Sequence, residues 1–100
     1  MASYTPTVSC HKTLTTTTAD TITIGQGFAA VEVINRDTAD FIYITYGSAA
    51  ADVAAPVAEA DGTLVIPPGN TLTLDANNRG GFVVKIVGDG GGYSVQGVDG

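Results

Sequence analysis

The residues that could carry out acid–base or nucleophilic chemistry are few. The sole histidine, His11, directly follows the sole cysteine, Cys10, so any Cys–His or Ser–His–Asp site would have to be built around His11. Consecutive residues of an extended strand point to opposite faces, so these two side chains would not meet if the segment is extended. We therefore expect no catalytic pair and interpret this stretch as a polar segment with an incidental thiol.

Neither a metal site nor a phosphate-binding loop is indicated. Asp37 and Asp40 share one turn and Asp89 lies in GDGGG, but no alternating acidic ligands and no bidentate glutamate accompany them. GDGGG is followed neither by Lys-Ser/Thr nor by a helix whose N-terminus could hold an anion. The sequence thus predicts no enzyme activity and no cofactor.

Three tyrosines offer the one alternative ligand chemistry. Tyr43 and Tyr46 could form an aromatic platform for sugars together with Phe41, and a carbohydrate-binding module would use Tyr43, Tyr46 and Tyr93. Aromatic side chains on an apolar strand more often belong to a core or an interface. A carbohydrate-binding module therefore stays a runner-up interpretation.

The composition favours strands and tight turns. Only 14% of the 100 residues are charged, against about 25% in an average domain, and the chain has 13 glycines and many threonines. The net charge is −6, and Lys12, Arg36, Arg79 and Lys85 are scattered along the chain, which argues against nucleic-acid binding. No apolar run approaches the ~20 residues of a membrane span, and no secretory signal is recognisable, so we expect synthesis in the cytoplasm.

Alternation with a period of two predicts the elements. Strands are expected at residues 12–18, 20–25, 28–35, 40–47, 63–66, 70–75, 82–88 and 93–98. About eight short strands at this spacing predict an all-β fold, an antiparallel β-sandwich of Ig-like or jelly-roll-like type. Residues 1–12 are expected to form an extended N-terminal arm, and residues 13–100 a single domain.

The connections carry their own signals. Residues 35–40 form a polar Asn/Asp turn that predicts a hairpin over residues 28–47, and residues 76–81 form a second turn cluster. Pro67-Pro68-Gly69 predicts a corner with a type II turn in which Gly69 has a positive φ. Residues 48–62 are expected to form a long surface loop that either contacts a partner or hangs over one end of the domain.

Several motifs along this order of strands and turns are similar to those of a known protein family. They are VEVINRDTADFIYITYG, DGTLVIPPG and VVKIVGDGGGYSVQGV, which together span residues 31–98. This set resembles small β-rich virion proteins of tailed bacteriophages, which decorate the head or occur as domains of tail and fibre proteins. The resemblance lies in scaffold residues and carries over no catalytic residue.

The resemblance implies a structural virion protein that is not an enzyme. We expect a head decoration protein that binds the major capsid protein on the outside of the assembled capsid, with a tail or fibre component as the alternative. Self-association as a homotrimer and location on the virion follow, without nucleic acid or membrane as partners. The candidate interface residues are Tyr4, Pro6, Val8, Phe41, Tyr43, Tyr46, Val53, Pro56 and Val57.

Overall fold

A computed structural model describes residues 3–5, 8–14, 19–25, 27–47, 53, 56, 63–79, 82–88 and 91–98. In this part of the chain the elements are nine β-strands: β1 (Ser3–Tyr4), β2 (Ser9–Thr13), β3 (Asp20–Ile24), β4 (Phe28–Asn35), β5 (Ile42–Gly47), β6 (Leu64–Ile66), β7 (Thr71–Arg79), β8 (Phe82–Gly88) and β9 (Gly92–Val98). No helix among the described residues has the length and apolarity to cross a membrane.

The strands form two sheets with the strand order of a jelly roll. One sheet has five strands in the order β1-β3-β8-β5-β6, and the other has four in the order β2-β9-β4-β7. All neighbours are antiparallel except β1 and β3. From β2 onward, the chain passes between the two sheets in the same order as in the eight-stranded double Greek key. The predicted all-β sandwich is therefore confirmed, in its jelly-roll form.

The predicted hairpin over residues 28–47 is wrong. β4 pairs with β7 and β9 in the four-stranded sheet, whereas β5 pairs with β6 and β8 in the other. The turn between them carries the chain from one sheet to the other. Asp37 shapes this turn, because its Oδ2 accepts the backbone N–H groups of Asp40 at 2.6 Å and Ala39 at 3.3 Å. These bonds lower the pKa of the Asp37 carboxyl below its usual value.

The Pro-Gly corner has the predicted geometry. Gly69 has a φ of 74°, and the N–H of Asn70 donates to the carbonyl of Pro67 at 3.1 Å, as in a type II turn. Because β6 and β7 belong to different sheets, this corner also moves the chain between layers. It ends one ladder and begins the next.

A buried asparagine at the end of β4 connects these two corners. The side-chain amide of Asn35 donates to the carbonyls of Asp40 and Ile66, both at 2.9 Å. Its Oδ1 accepts the N–H of Asp37 at 3.0 Å, and its backbone carbonyl accepts the N–H of Gly69 at 3.0 Å. Among the described residues, every buried side-chain polar atom has a hydrogen-bond partner.

Two predicted boundaries differ from the structure. The segment expected as an arm contributes β1 to the five-stranded sheet and β2 to the four-stranded sheet, through pairing with β3 and β9. The expected turn at residues 76–81 begins later, since β7 runs to Arg79 and pairs there with Phe28. The β4–β7 register is irregular between Phe28 and Ala30, and this irregularity accommodates the additional residues of β7.

The core lies between the two sheets and consists of alternate strand residues. Its fully buried members are mainly β-branched: Ile22, Ile24, Val31, Val33, Ile42, Ile44, Val84, Ile86 and Val95. Each contributes about 1.5–3 kcal/mol by leaving water. Of the predicted loop over residues 48–62, only Val53 and Pro56 lie within the described residues.

Candidate interaction surface

An apolar row crosses the outer face of the five-stranded sheet. The register places Tyr43 of β5 opposite Val65 of β6 and opposite Val87 of β8. Phe41 precedes β5 and, by alternation, lies on the same side as Tyr43. Phe41 and Val65 are each 48% exposed, while Tyr43 and Val87 are half-buried. We call Phe41, Tyr43, Val65 and Val87 the apolar row.

The far end of this face is covered by the chain itself. Val53 is 5% exposed, and its Cγ2 lies 2.7 Å from where a Cβ on Gly47 would stand. Val83, which is opposite Gly47 in the register, is also buried, although neither valine belongs to the main core. A glycine at position 47 therefore makes room for Val53 against the sheet.

The three tyrosines do not form a platform. Tyr93 is fully buried and donates to Oδ2 of the buried Asp20 at 2.8 Å, and burial together with this bond raises the pKa of the phenol. Tyr46 is exposed but stacks on the buried Phe82 with ring centroids 5.7 Å apart. Tyr43 lies on the opposite face of β5 from Tyr46. The three tyrosines therefore do not share one surface, and sugar binding stays an untested alternative.

A shallow cleft lies along β1 and β2. It has a volume of about 500 Å³ and is lined by Ser3, Tyr4, Thr5, Ser9, Cys10, His11 and Lys12. The Lys12 ammonium lies 4.6 Å from the centre of the Tyr4 ring, a cation–π contact. Cys10 is buried, and this burial raises the pKa of its thiol. A thiol held protonated is a poor nucleophile.

His11 has a partner that sequence reasoning missed. Its Nδ1 lies 2.7 Å from the Oγ of Ser94, its cross-strand neighbour on β9. The two residues are 83 positions apart in the chain, and no local sequence pattern indicates that they pair. Ser94 is only 2% exposed, so a substrate carbonyl has no access to its Oγ. As predicted, Cys10 and His11 lie on opposite faces of the strand, and Cys10 is buried while His11 is exposed.

The outer face of the four-stranded sheet is polar. Glu32 and Gln96 are directly opposite each other, and the Gln96 amide donates to Glu32 Oε1 at 2.7 Å. No group of three or more His, Cys, Asp or Glu residues within the described ranges is arranged to hold a metal ion. The polar sheet face and the apolar row thus give the two sides of the sandwich different chemistry.

The predicted interface residues fall into three groups. Val8, Phe41 and Tyr46 are exposed, and Tyr4 and Tyr43 are half-buried. Val53 and Pro56 are buried within the chain, and contact of these two residues with a partner stays a prediction. Pro6 and Val57 lie outside the described residues.

Comparisons with known proteins give a weak structural likeness. No family model matches the chain, and no curated protein matches it. Among solved structures, the pre-peptidase C-terminal domain of a collagenase from Bacillus anthracis is similar over 95% of this chain and 91% of that chain, with 10% sequence identity and a TM-score of 0.36. A likeness at this level supports no functional inference.

Proposed function

We propose that this protein is a structural virion protein of a tailed bacteriophage, a decoration protein that binds the major capsid protein on the outside of the assembled head. The observation that carries the proposal is the apolar row. Exposed contiguous apolar surface on a small soluble domain marks an interaction site. Here it includes Phe41 and Val65, each 48% exposed, on a rigid sheet.

The choice of a capsid as partner rests on the sequence resemblance. The strand and turn motifs of residues 31–98 resemble those of small phage virion proteins, and the jelly roll is an architecture used by viral capsid and lectin domains, among others. The shared fold is an analogy and adds context only. We assign the contacts with the capsid to the apolar row.

Rigidity is what makes this row effective in binding. Tyr43 and Val65 are held by their positions in neighbouring strands, so little conformational entropy is lost when a partner covers them. Phe41 contributes a large apolar side chain at the end of the row, the kind of residue that dominates interface energetics. The polar face of the other sheet, with Glu32 and Gln96, remains in contact with solvent.

Stabilisation of the head follows from mass action. A ligand that binds the assembled lattice but not free subunits shifts the equilibrium towards the lattice. Contacts made by several linked copies raise the effective concentration of each further contact. Self-association of the chain would supply such linkage, and the expected location is the outer surface of the virion.

Binding to particles tests the proposal and the role of the row together. Purified protein is sedimented with heads that lack it, and bound protein is quantified. We expect saturable binding that Phe41→Ser and Val65→Ser weaken strongly. Leu64→Ser, which changes an exposed leucine outside the row, serves as the matched control and is expected to bind like the wild type. Absence of binding by the wild type would refute the proposal.

Electron microscopy distinguishes the decoration role from the alternative role as a tail or fibre component. A tail or fibre component would have the same fold and the same lack of reactive sites. Gold-labelled protein viewed on particles by electron microscopy is expected on heads. Label confined to tails would replace the decoration role by the tail or fibre role.

A further inference from the structure

An edge strand lies on the side of the sandwich opposite to β1 and β2. β7 is the end strand of its sheet and, among the described residues, pairs only with β4. Its residues 71–75 pair regularly with β4, and the register irregularity lies beyond them, between Asp75 and Arg79. Edge strands are often protected by lysine, proline or a bulge. Residues 71–74, TLTL, contain no charge and no proline.

The direction of the backbone groups on this edge follows from one hydrogen bond. The N–H of Asn35 donates to the carbonyl of Asn70 at 2.9 Å, so this is a hydrogen-bonded pair of the antiparallel ladder. Hydrogen-bonded and non-hydrogen-bonded pairs alternate. Leu72 therefore directs its N–H and C=O towards β4, and Thr71 and Thr73 direct theirs away from β4, where an added strand would lie.

The same side of the molecule exposes apolar core residues. β6 and β7 end their respective sheets and are joined by the Pro-Gly corner, so both border this side. Leu64 of β6 has the inward alternation of Ile66 but is 38% exposed. Leu72 packs against the core and is only partly buried. The seam between the two sheets is thus incompletely closed here.

We propose that β7 pairs with β7 of a second copy of this chain, in antiparallel orientation about a two-fold axis at Thr73. Residues that are directly opposite must lie on the same face. The axis at Thr73 places Thr73 opposite Thr73 of the second copy and Leu72 opposite Leu74. Asp75 then lies opposite Thr71, so no like charges meet. An axis at Asp75 would bring two carboxylates together.

A second copy fits this edge because the pairing is self-complementary. The axis at Thr73 pairs residues 71–75 of both copies, which is about 17 Å of strand at 3.3 Å per residue. The pairing joins two four-stranded sheets into one sheet and brings Leu64 and Leu72 of both copies towards a common apolar seam. This inference does not rest on the proposed function, and it gives two chains per particle where the resemblance implies three.

Two lysine substitutions on the same strand and face test the pairing. Thr73→Lys places two ammonium groups opposite each other at the axis, whereas Thr71→Lys places each ammonium opposite Asp75 of the other copy. Both change the net charge equally, and both sites are exposed. We expect sedimentation velocity of the wild type to show two chains per particle. The dissociation constant of the pair should rise at least about fivefold in Thr73→Lys and should not rise in Thr71→Lys.

Amide hydrogen exchange gives a second readout. The N–H of Thr73 should exchange more slowly at concentrations where the pair forms than at concentrations where it dissociates. A wild type that sediments as one chain, or as three, would overturn the pairing. So would equal behaviour of the two lysine variants when circular dichroism shows that both are folded.

Discussion

The side-chain amide of Asn35 donates a 2.9 Å hydrogen bond to the carbonyl of Ile66, 31 positions away in the chain. This bond links the end of β4 in one sheet to the end of β6 in the other. With its bonds to Asp40 and Asp37, Asn35 holds two inter-sheet connections at one buried point. The jelly-roll crossing therefore depends on a polar residue inside the core.

Replacement of Asn35 should be among the most destabilising changes in the chain. Asn35→Ala removes three side-chain hydrogen bonds at a site without access to water, and we expect a loss of about 3 kcal/mol in the free energy of unfolding. Urea denaturation measures it. Asn70→Ala is the matched control, because the Asn70 amide donates only to the carbonyl of Pro68 at an exposed site. Equal losses in the two variants would contradict this role of Asn35.

The corner at Gly69 should be sensitive to a methyl group for conformational reasons alone. A Cβ at Gly69 would meet nothing within 4 Å, but φ is +74°. Gly69→Ala is therefore expected to cost about 1–2 kcal/mol. Gly25→Ala, where there is also open space and no positive φ, should leave stability unchanged or slightly raised. Thermal unfolding of the two variants gives the comparison.

Alkaline pH should weaken the fold through Tyr93. Burial and the bond to Asp20 raise the pKa of this phenol above its ordinary value of 10. Above about pH 10 the unfolded chain loses this proton while the folded chain keeps it, so the free energy of unfolding falls by up to about 1.4 kcal/mol per pH unit. Below pH 10 this contribution is fully present.

Tyr93→Phe isolates that effect. The variant should be less stable at neutral pH, because buried Asp20 loses a donor, and its stability should decline less steeply above pH 10. Tyr46→Phe changes an exposed tyrosine and should keep the wild-type slope. A slope that persists unchanged in Tyr93→Phe would show that another group is responsible.

The pair formed by His11 and Ser94 should be dispensable for binding to heads. Its atoms are 2.7 Å apart, but the buried serine has no access to a substrate. His11→Ala is expected to leave the amount of protein bound to particles unchanged and to cost about 1 kcal/mol in stability. A folded His11→Ala variant that no longer binds particles would mean that this pair takes part in function.

Much of the fold was predictable because alternation and turn chemistry are local. The bounds of β4 and β8, the corner at Gly69 and the all-β class follow from residue types within a few positions of each other. Strand partners are not local, which is why the residue types after Asn35 predict a hairpin that does not form. Alternation shows which face of β5 is apolar, but only the register shows that Tyr43 lies between Val65 and Val87.

The candidate surface was predictable in part for the same reason. Phe41 and Tyr43 were expected at an interface from their position on a strand that is apolar on both faces. Val53 was expected to face a partner, but it covers Gly47 of the same chain. Nothing in the local sequence connects these two positions. The pairing of His11 with Ser94 likewise depends on the β2–β9 register.

The most direct test of the decoration role is the temperature at which heads lacking this protein release their DNA, measured with and without added purified protein. We predict that added wild-type protein raises the release temperature in a saturable manner and that the Phe41→Ser, Val65→Ser double variant raises it much less. A release temperature that stays the same at saturating wild-type protein would contradict the proposal that this chain binds and stabilises the assembled capsid.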